Sequence, residues 1–216
     1  MTFKIVSTDA ISPQIALAFD RYGHVGAEEA KALKAFGFGL GWLYADVVTV
    51  DDILNVTSNG MALGFVLTGL GRNTVPTAEI GSNMGMGASR RLRGLGVPSG
   101  LSIPIDLEGE GRLVQDWIAF ANGAADGIKS MGDKPGFYIG EGLGLTSDEL
   151  FALRGLPYWK GMSRVEDAKK NLAEPKCGWA MVQQYPDDRI IGGIQVDVSV
   201  VGKDYWNRSF DVLVST

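Results

Sequence analysis

Asp106 and Glu108 stand two residues apart in the run LSIPIDLEGEG, and this spacing is the sharpest chemical feature of the chain. Side chains of a β-strand alternate between its faces, so both acids share one face while Ile103, Ile105 and Leu107 share the other. The apolar face packs on helices, which leaves the two carboxylates aimed the opposite way. Asp20, closing the first apolar run, and Asp197, in IQVDVSVV, are two further acids on strands. An acid at a strand end is as often a solvated cap, so the reading rests on the four together. Crowded like charges and partial burial raise the pKa of one member, which then keeps its proton near neutrality as a general acid. Glycosidic hydrolysis needs such an acid, plus a carboxylate that stabilises an oxocarbenium-like state, attacks it or activates water. The same oxygens could instead bind a hard cation such as Mg²⁺.

Other chemistries have little to work with. The single histidine, His24, has no partner at metal-ligand or triad spacing and reads as a loop residue, so a zinc site or a Ser-His-Asp triad is not expected. Cys177 is the one cysteine and reads as a buried structural thiol; no internal disulfide can form. Net charge is −5 and the basic residues are scattered, which disfavours a nucleic-acid partner. No cofactor and no metal are expected. No window of about 18 apolar residues exists, so no membrane span is expected. The N-terminus lacks a basic segment followed by an apolar run, so it reads as cytoplasmic in origin, without a secretory signal.

The elements that must position these acids alternate in type. Strands are expected at 15–20, in FGFGLGWLY ending at Tyr44, at 61–70, 101–108, in GFYIG, in LPYWKG, in WAMVQQY and in GIQVDVSVV. Helices are expected at 27–36, 51–58, 112–131, 147–154 and 164–172. Residues 81–100, rich in glycine, read as a long loop with one short helix. Eight strands separated by helical or looping segments predict an α/β fold, a parallel sheet closed into a single-domain (β/α)8 TIM-type barrel spanning 1–216. At 216 residues it is short against the usual ~250, so some outer helices, the seventh and eighth, should be degenerate. Reactive groups then lie at the C-terminal strand ends, where Asp20, Asp106, Glu108 and Asp197 share one mouth. Tyr44, Tyr138, Trp159 and Tyr185 fall near the ends of strands two, five, six and seven, where rings can stack on sugars. Gln184 could hydrogen-bond substrate. Trp42 and Trp117 read as core.

The chain resembles the glycoside hydrolase family 25 lysozymes and their glycoside-hydrolase-like relatives once labelled domain of unknown function 1906. The matching pieces are AFD at strand one, IPIDLEGEG at strand four, GFYIG at strand five, W-x-x-x-Q-Q-Y at 179–185 and IQVDVSVV at strand eight, in family order. The resemblance implies a muramidase cutting the bond between N-acetylmuramic acid and N-acetylglucosamine in peptidoglycan glycan strands. It implies Glu108 as the acid, Asp106 as the partner that positions or stabilises the reacting sugar, and Asp20 and Asp197 completing the pocket. A phage or prophage endolysin, monomeric and acting at the cell wall after release, is the expected setting. Arg21-Tyr22 replaces the small residues usual after the first acid, so the first subsite should differ. The 81–100 segment is expected to wall a groove. A glycan-binding or virion-associated barrel without turnover, and a metal-dependent barrel enzyme acting on a small substrate, are the competing readings.

Overall fold

Alternation of side chains in the strands creates two apolar surfaces, and the chain uses both. The computed structural model describes residues 2–11, 17–71, 74–109, 113–140, 142–161, 173–184 and 189–216. The eight expected strands are present as β2 (Leu17–Arg21), β3 (Leu40–Tyr44), β4 (Ala62–Val66), β5 (Ser102–Leu107), β6 (Lys134–Ile139), β7 (Tyr158–Lys160), β8 (Met181–Gln183) and β10 (Ile194–Val201). They lie in the order β4-β3-β2-β10-β8-β7-β6-β5. Leu67, just past β4, bridges Ile105 of β5, with Leu67 N–H donating to Pro104 O (2.9 Å) and Asp106 N–H to Leu67 O (3.0 Å), so the two ends of this run meet. The fold is a TIM-like α/β barrel.

Phe19, Leu43, Leu63, Phe65, Ile103, Ile105, Leu107, Phe137 and Val198 point outward into the core between strands and helices. Ala18, Leu40, Trp42, Ala62, Val66, Trp159 and Met181 point inward and fill the cylinder, with Phe210 plugging its base. Gly64 beside Trp42 makes room for the indole, since a β-carbon there would lie 2.2 Å from the ring.

The sheet is not wholly parallel, as the alternation of elements suggested. β10 runs antiparallel to both neighbours, β2 and β8. The cause is a hairpin: β9 (Arg189–Ile191) pairs with β10 across Gly192-Gly193, whose φ values of 61° and 89° suit a two-residue turn. Two more strands were not expected. β1 (Phe3–Ser7) pairs with β11 (Asp211–Ser215), and β11 meets β4 at Leu213↔Leu63. Asp211 N–H also donates to Ser102 Oγ on β5 (2.8 Å), so β11 fills the gap between β4 and β5 at the base of the barrel.

Helices α2 (Ala27–Phe36), α3 (Val50–Ser58), α5 (Val114–Ser130) and α6 (Ser147–Phe151) match expectation, and a short α1 (Thr8–Ile11) precedes β2. Thr49 and Asp52 form a capping box on α3. Thr146 caps α6. Among the described residues no helix follows β7, β8 or β10; the expected helix at 164–172 lies outside the described residues.

The 81–100 segment is the clearest correction. It is mostly the 17-residue helix α4 (Ala78–Gly94), capped by Thr77. The glycines that suggested a loop are spaced four apart and let two backbones touch. A β-carbon on Gly81 or Gly85 would lie 2.2 Å from Phe120 O or 2.4 Å from Ala124 O; one on Gly123 or Gly127 would lie 2.0 Å from Ala78 O or 2.3 Å from Ser82 O. Helix propensity favours alanine over glycine by ~1 kcal/mol, but here the atoms in the way are backbone and cannot swing aside. Gly123→Ala should therefore lower stability by about 2 kcal/mol, whereas Gly87→Ala, whose β-carbon meets nothing within 4 Å, should raise it by up to ~1 kcal/mol. Denaturant titration of the two variants reads both signs; equal effects would contradict the close packing of α4 on α5.

Candidate active site

The mouth of the barrel is set by strands whose inward positions turn polar at one level. In β2 the inward residues run Ala18 then Asp20; in β5 they run Ser102, Pro104 and Asp106, with Glu108 just past the strand end. Asp197 is the fourth residue of β10, not a late one in a parallel strand as expected. The reversed direction of β10 brings it to the same level by a different route, directly opposite Asp20 in the register. On the other side of the mouth Asp106 lies beside Tyr138 of β6 in register. Tyr44, at the end of β3, ties the two halves together. Its hydroxyl donates to Asp106, and burial first, then the negative charges of Asp106, Asp20, Glu108 and Asp197, hold its own proton well above the usual phenol range. Tyr44 thus lies within electrostatic reach of all four acids at one rim of the barrel.

Their environments differ. Asp106 is 5% exposed, and Asp20 is buried as well. Asp197 is half-buried and Glu108 is exposed at the rim, before the turn at Gly109 (φ 117°). Burial first, then the charge of Glu108, push the Asp106 carboxyl up to about 8, against the opposing pull of the Gly69 N–H and the Tyr44 hydroxyl. The Asp106–Glu108 pair thus holds one proton through neutrality, and that proton belongs to the pair. Oδ1 of Asp106 is buried without a hydrogen-bond partner, which a protonated carboxyl tolerates better than an anion. Glycines make room for both acids. A β-carbon on Gly140 would lie 2.5 Å from Glu108 Cβ, and one on Gly69 would lie 3.3 Å from Asp106 Cγ.

The other expected site residues are placed unevenly. Tyr138 is half-buried, donates its hydroxyl to Gln183 Oε1 (2.8 Å), and has its proton held by burial and by the charges of Glu108, Asp20 and Asp106. Trp159 is not a stacking surface: at 1% exposure it fills the cylinder, edge-on to Tyr138 and tilted against Trp42, with Nε1 donating to Ser199 Oγ (3.1 Å). Gln184 gives way to Gln183. Met181 of β8 is inward, so Gln183 shares its face, while the Gln184 amide donates back to Val182 O (3.1 Å). Tyr185 lies outside the described residues. His24 sits in a loop as expected but does have a partner, Asp52 Oδ2 at 2.9 Å, within the cap of α3. Cys177 is a free, buried thiol.

Asp46 and Thr68, which no sequence pattern singled out, hold Tyr22, the residue marked after the first acid. Tyr22 packs edge-on to Tyr44 (centroids 5.1 Å, 71°) and donates to Asp46 Oδ2 (3.2 Å), while the Thr68 hydroxyl donates to Asp46 Oδ1. Among the described residues no three of His, Cys, Asp or Glu are arranged to hold a metal ion, and no helix is long and apolar enough to cross a membrane.

No protein-family model matches the chain, and no curated protein matches it. Solved structures do resemble it. The Tat-secreted protein Rv2525c of Mycobacterium tuberculosis, crystallised with L-tartrate, superposes with a TM-score of 0.62 at 16% identity, over 89% of this chain and 100% of that one. The modular autolysin LytC of Streptococcus pneumoniae gives 0.61 at 14%, over 86% of this chain and 46% of the autolysin, so this chain spans under half of that protein. LytC has also been crystallised with a synthetic peptidoglycan ligand. The spore cortex lytic enzyme SleM of Clostridium perfringens gives 0.56 at 14%, over 88% of this chain and 68% of that one. At such identities the likeness is one of fold, and the barrel is one that cell-wall lytic enzymes use.

Proposed function

We propose that this chain is a peptidoglycan hydrolase of the family 25 lysozyme type, cutting the N-acetylmuramic acid–N-acetylglucosamine bond by carboxylate acid/base chemistry. The observation that carries the reading is the placement of buried Asp106 beside exposed Glu108 on one face of the chain, in a mouth ringed by Asp20 and Asp197. Glu108 is the member that can reach a glycosidic oxygen. With the proton on Glu108, the charge sits on Asp106, where the Gly69 N–H and the Tyr44 hydroxyl stabilise it. Glu108 gives its proton to the leaving oxygen, and the anionic side chains around the pocket stabilise the positive charge that develops on the sugar. The barrel shared with LytC and SleM, and the peptidoglycan ligand bound by LytC, support the same substrate class. The substrate lies outside the cytoplasm, so the enzyme acts at the wall after release, as a phage or prophage endolysin does.

Reducing-sugar release from purified peptidoglycan, unaffected by EDTA, is the expected result. Full loss of activity with EDTA would overturn the metal-free scheme, and no release at all would overturn turnover. Gly140→Ala adds a finer test. The new methyl would lie 2.5 Å from Glu108 Cβ, which moves only with its backbone, so kcat should fall roughly 10–100-fold together with some loss of thermal stability. Undiminished kcat would separate Glu108 from the chemistry.

A further inference from the structure

Tyr22 is 60% exposed, yet it is held on several sides. Its neighbour Arg21 donates from Nε to His24 O (3.0 Å) and from a terminal guanidinium nitrogen to Gln195 O (2.7 Å), which pins the turn after β2 to β10. The Tyr22 hydroxyl is anchored on Asp46, itself anchored by Thr68, and its ring rests against Tyr44. These residues follow β2, β3 and β4 on the same rim as the four acids, and Tyr44 joins them directly to Asp106. An exposed ring fixed in this way loses little freedom when a flat apolar partner covers it.

We propose that Tyr22 and Asp46 form a second sugar-binding position on the rim, adjoining the acid pocket, which stacks a neutral N-acetylhexosamine and rejects a carboxylate-bearing muramoyl unit. The proposal rests on the glycan reading above. The tyrosine ring offers its face to the apolar face of a pyranose. Each Asp46 oxygen accepts one hydrogen bond from the protein and keeps a second lone pair for a sugar hydroxyl or an acetamido N–H. A ligand carboxylate placed there would meet Asp46 head-on, with the other acids of the mouth behind it, and like charges so juxtaposed exclude the wrong partner. The position thereby sets the register of a glycan strand whose two sugars differ in charge.

The test uses the full chain carrying Glu108→Gln, which binds without turnover, titrated by calorimetry with an N-acetylglucosamine tetramer and with a tetrasaccharide of alternating N-acetylglucosamine and N-acetylmuramic acid. Adding Tyr22→Ala should raise Kd for the tetramer roughly 10-fold. Tyr22→Phe keeps the ring and should stay within about 3-fold. Asp46→Asn should tighten the alternating tetrasaccharide relative to the neutral tetramer, because its second register is no longer rejected. If the parent binds the tetramer and Tyr22→Ala leaves Kd unchanged, the second position is overturned while the glycan reading stands. An unchanged preference in Asp46→Asn overturns the charge discrimination. Failure of the parent to bind either glycan overturns both the position and the glycan reading.

Discussion

Glu108→Gln lowers reducing-sugar release from peptidoglycan by at least ~10², the usual contribution of a general acid, and leaves the fold as it was. The structure isolates the chemical part of this change. Glu108 is exposed at the rim, so the amide creates no cavity and buries no new polar group. What is lost is the acid that can carry the pair's proton to the leaving oxygen. Neutralising Glu108 also removes the second cause that raises Asp106, leaving burial as the main one. Thermal melts and circular dichroism matching the parent, alongside the loss of turnover, are the expected combination. Activity within a few-fold of the parent would place the acid elsewhere.

Asp106→Asn should act on stability and on pH dependence together. The folded Asp106 carboxyl keeps its proton to about 8, against 3.8 when unperturbed. Between those values the folded chain binds more protons than the unfolded one, so Asp106 lowers stability progressively as pH rises through that window. An asparagine does not ionise, and its amide oxygen can still accept from the Gly69 N–H and the Tyr44 hydroxyl. The variant should melt near the parent at pH 4 and roughly 5 °C above it at pH 8. A difference in melting temperature that does not change with pH would contradict the burial-driven shift. Turnover should fall as well, and the alkaline limb that the pair sets near about 8 in the parent should be lost, because the shared proton needs both carboxyls.

Legibility in the sequence followed the range of the interaction that decides each feature. The D-x-E face was readable because strand alternation is local, and Ile103, Ile105 and Leu107 do pack outward. The capped helices were readable for the same reason. The direction of β10 was not, because Gly192-Gly193 is a turn signal whose consequence depends on pairing with β9. Asp197 reached the mouth in spite of that error, through its register with Asp20. Helix α4 was misread because glycine counts against a helix locally, and only its contact with α5 shows why the four-residue spacing is needed. That spacing, repeated at Gly81/Gly85 and Gly123/Gly127, was the available signal. Gln183 and Gln184 differ by one step of register, which a short strand leaves undecided until Met181 is seen to face inward. Tyr22, Asp46 and Thr68 come together only because three strands end side by side, and nothing in their sequence spacing announces it.

Mass spectrometry of the soluble fragments released from purified peptidoglycan tests the central claim most directly. Disaccharide-peptides ending in a reducing N-acetylmuramic acid, absent in the Glu108→Gln digest, are the predicted products. Fragments cut in the peptide stems, products ending in reducing N-acetylglucosamine, or an unaltered sacculus would contradict it.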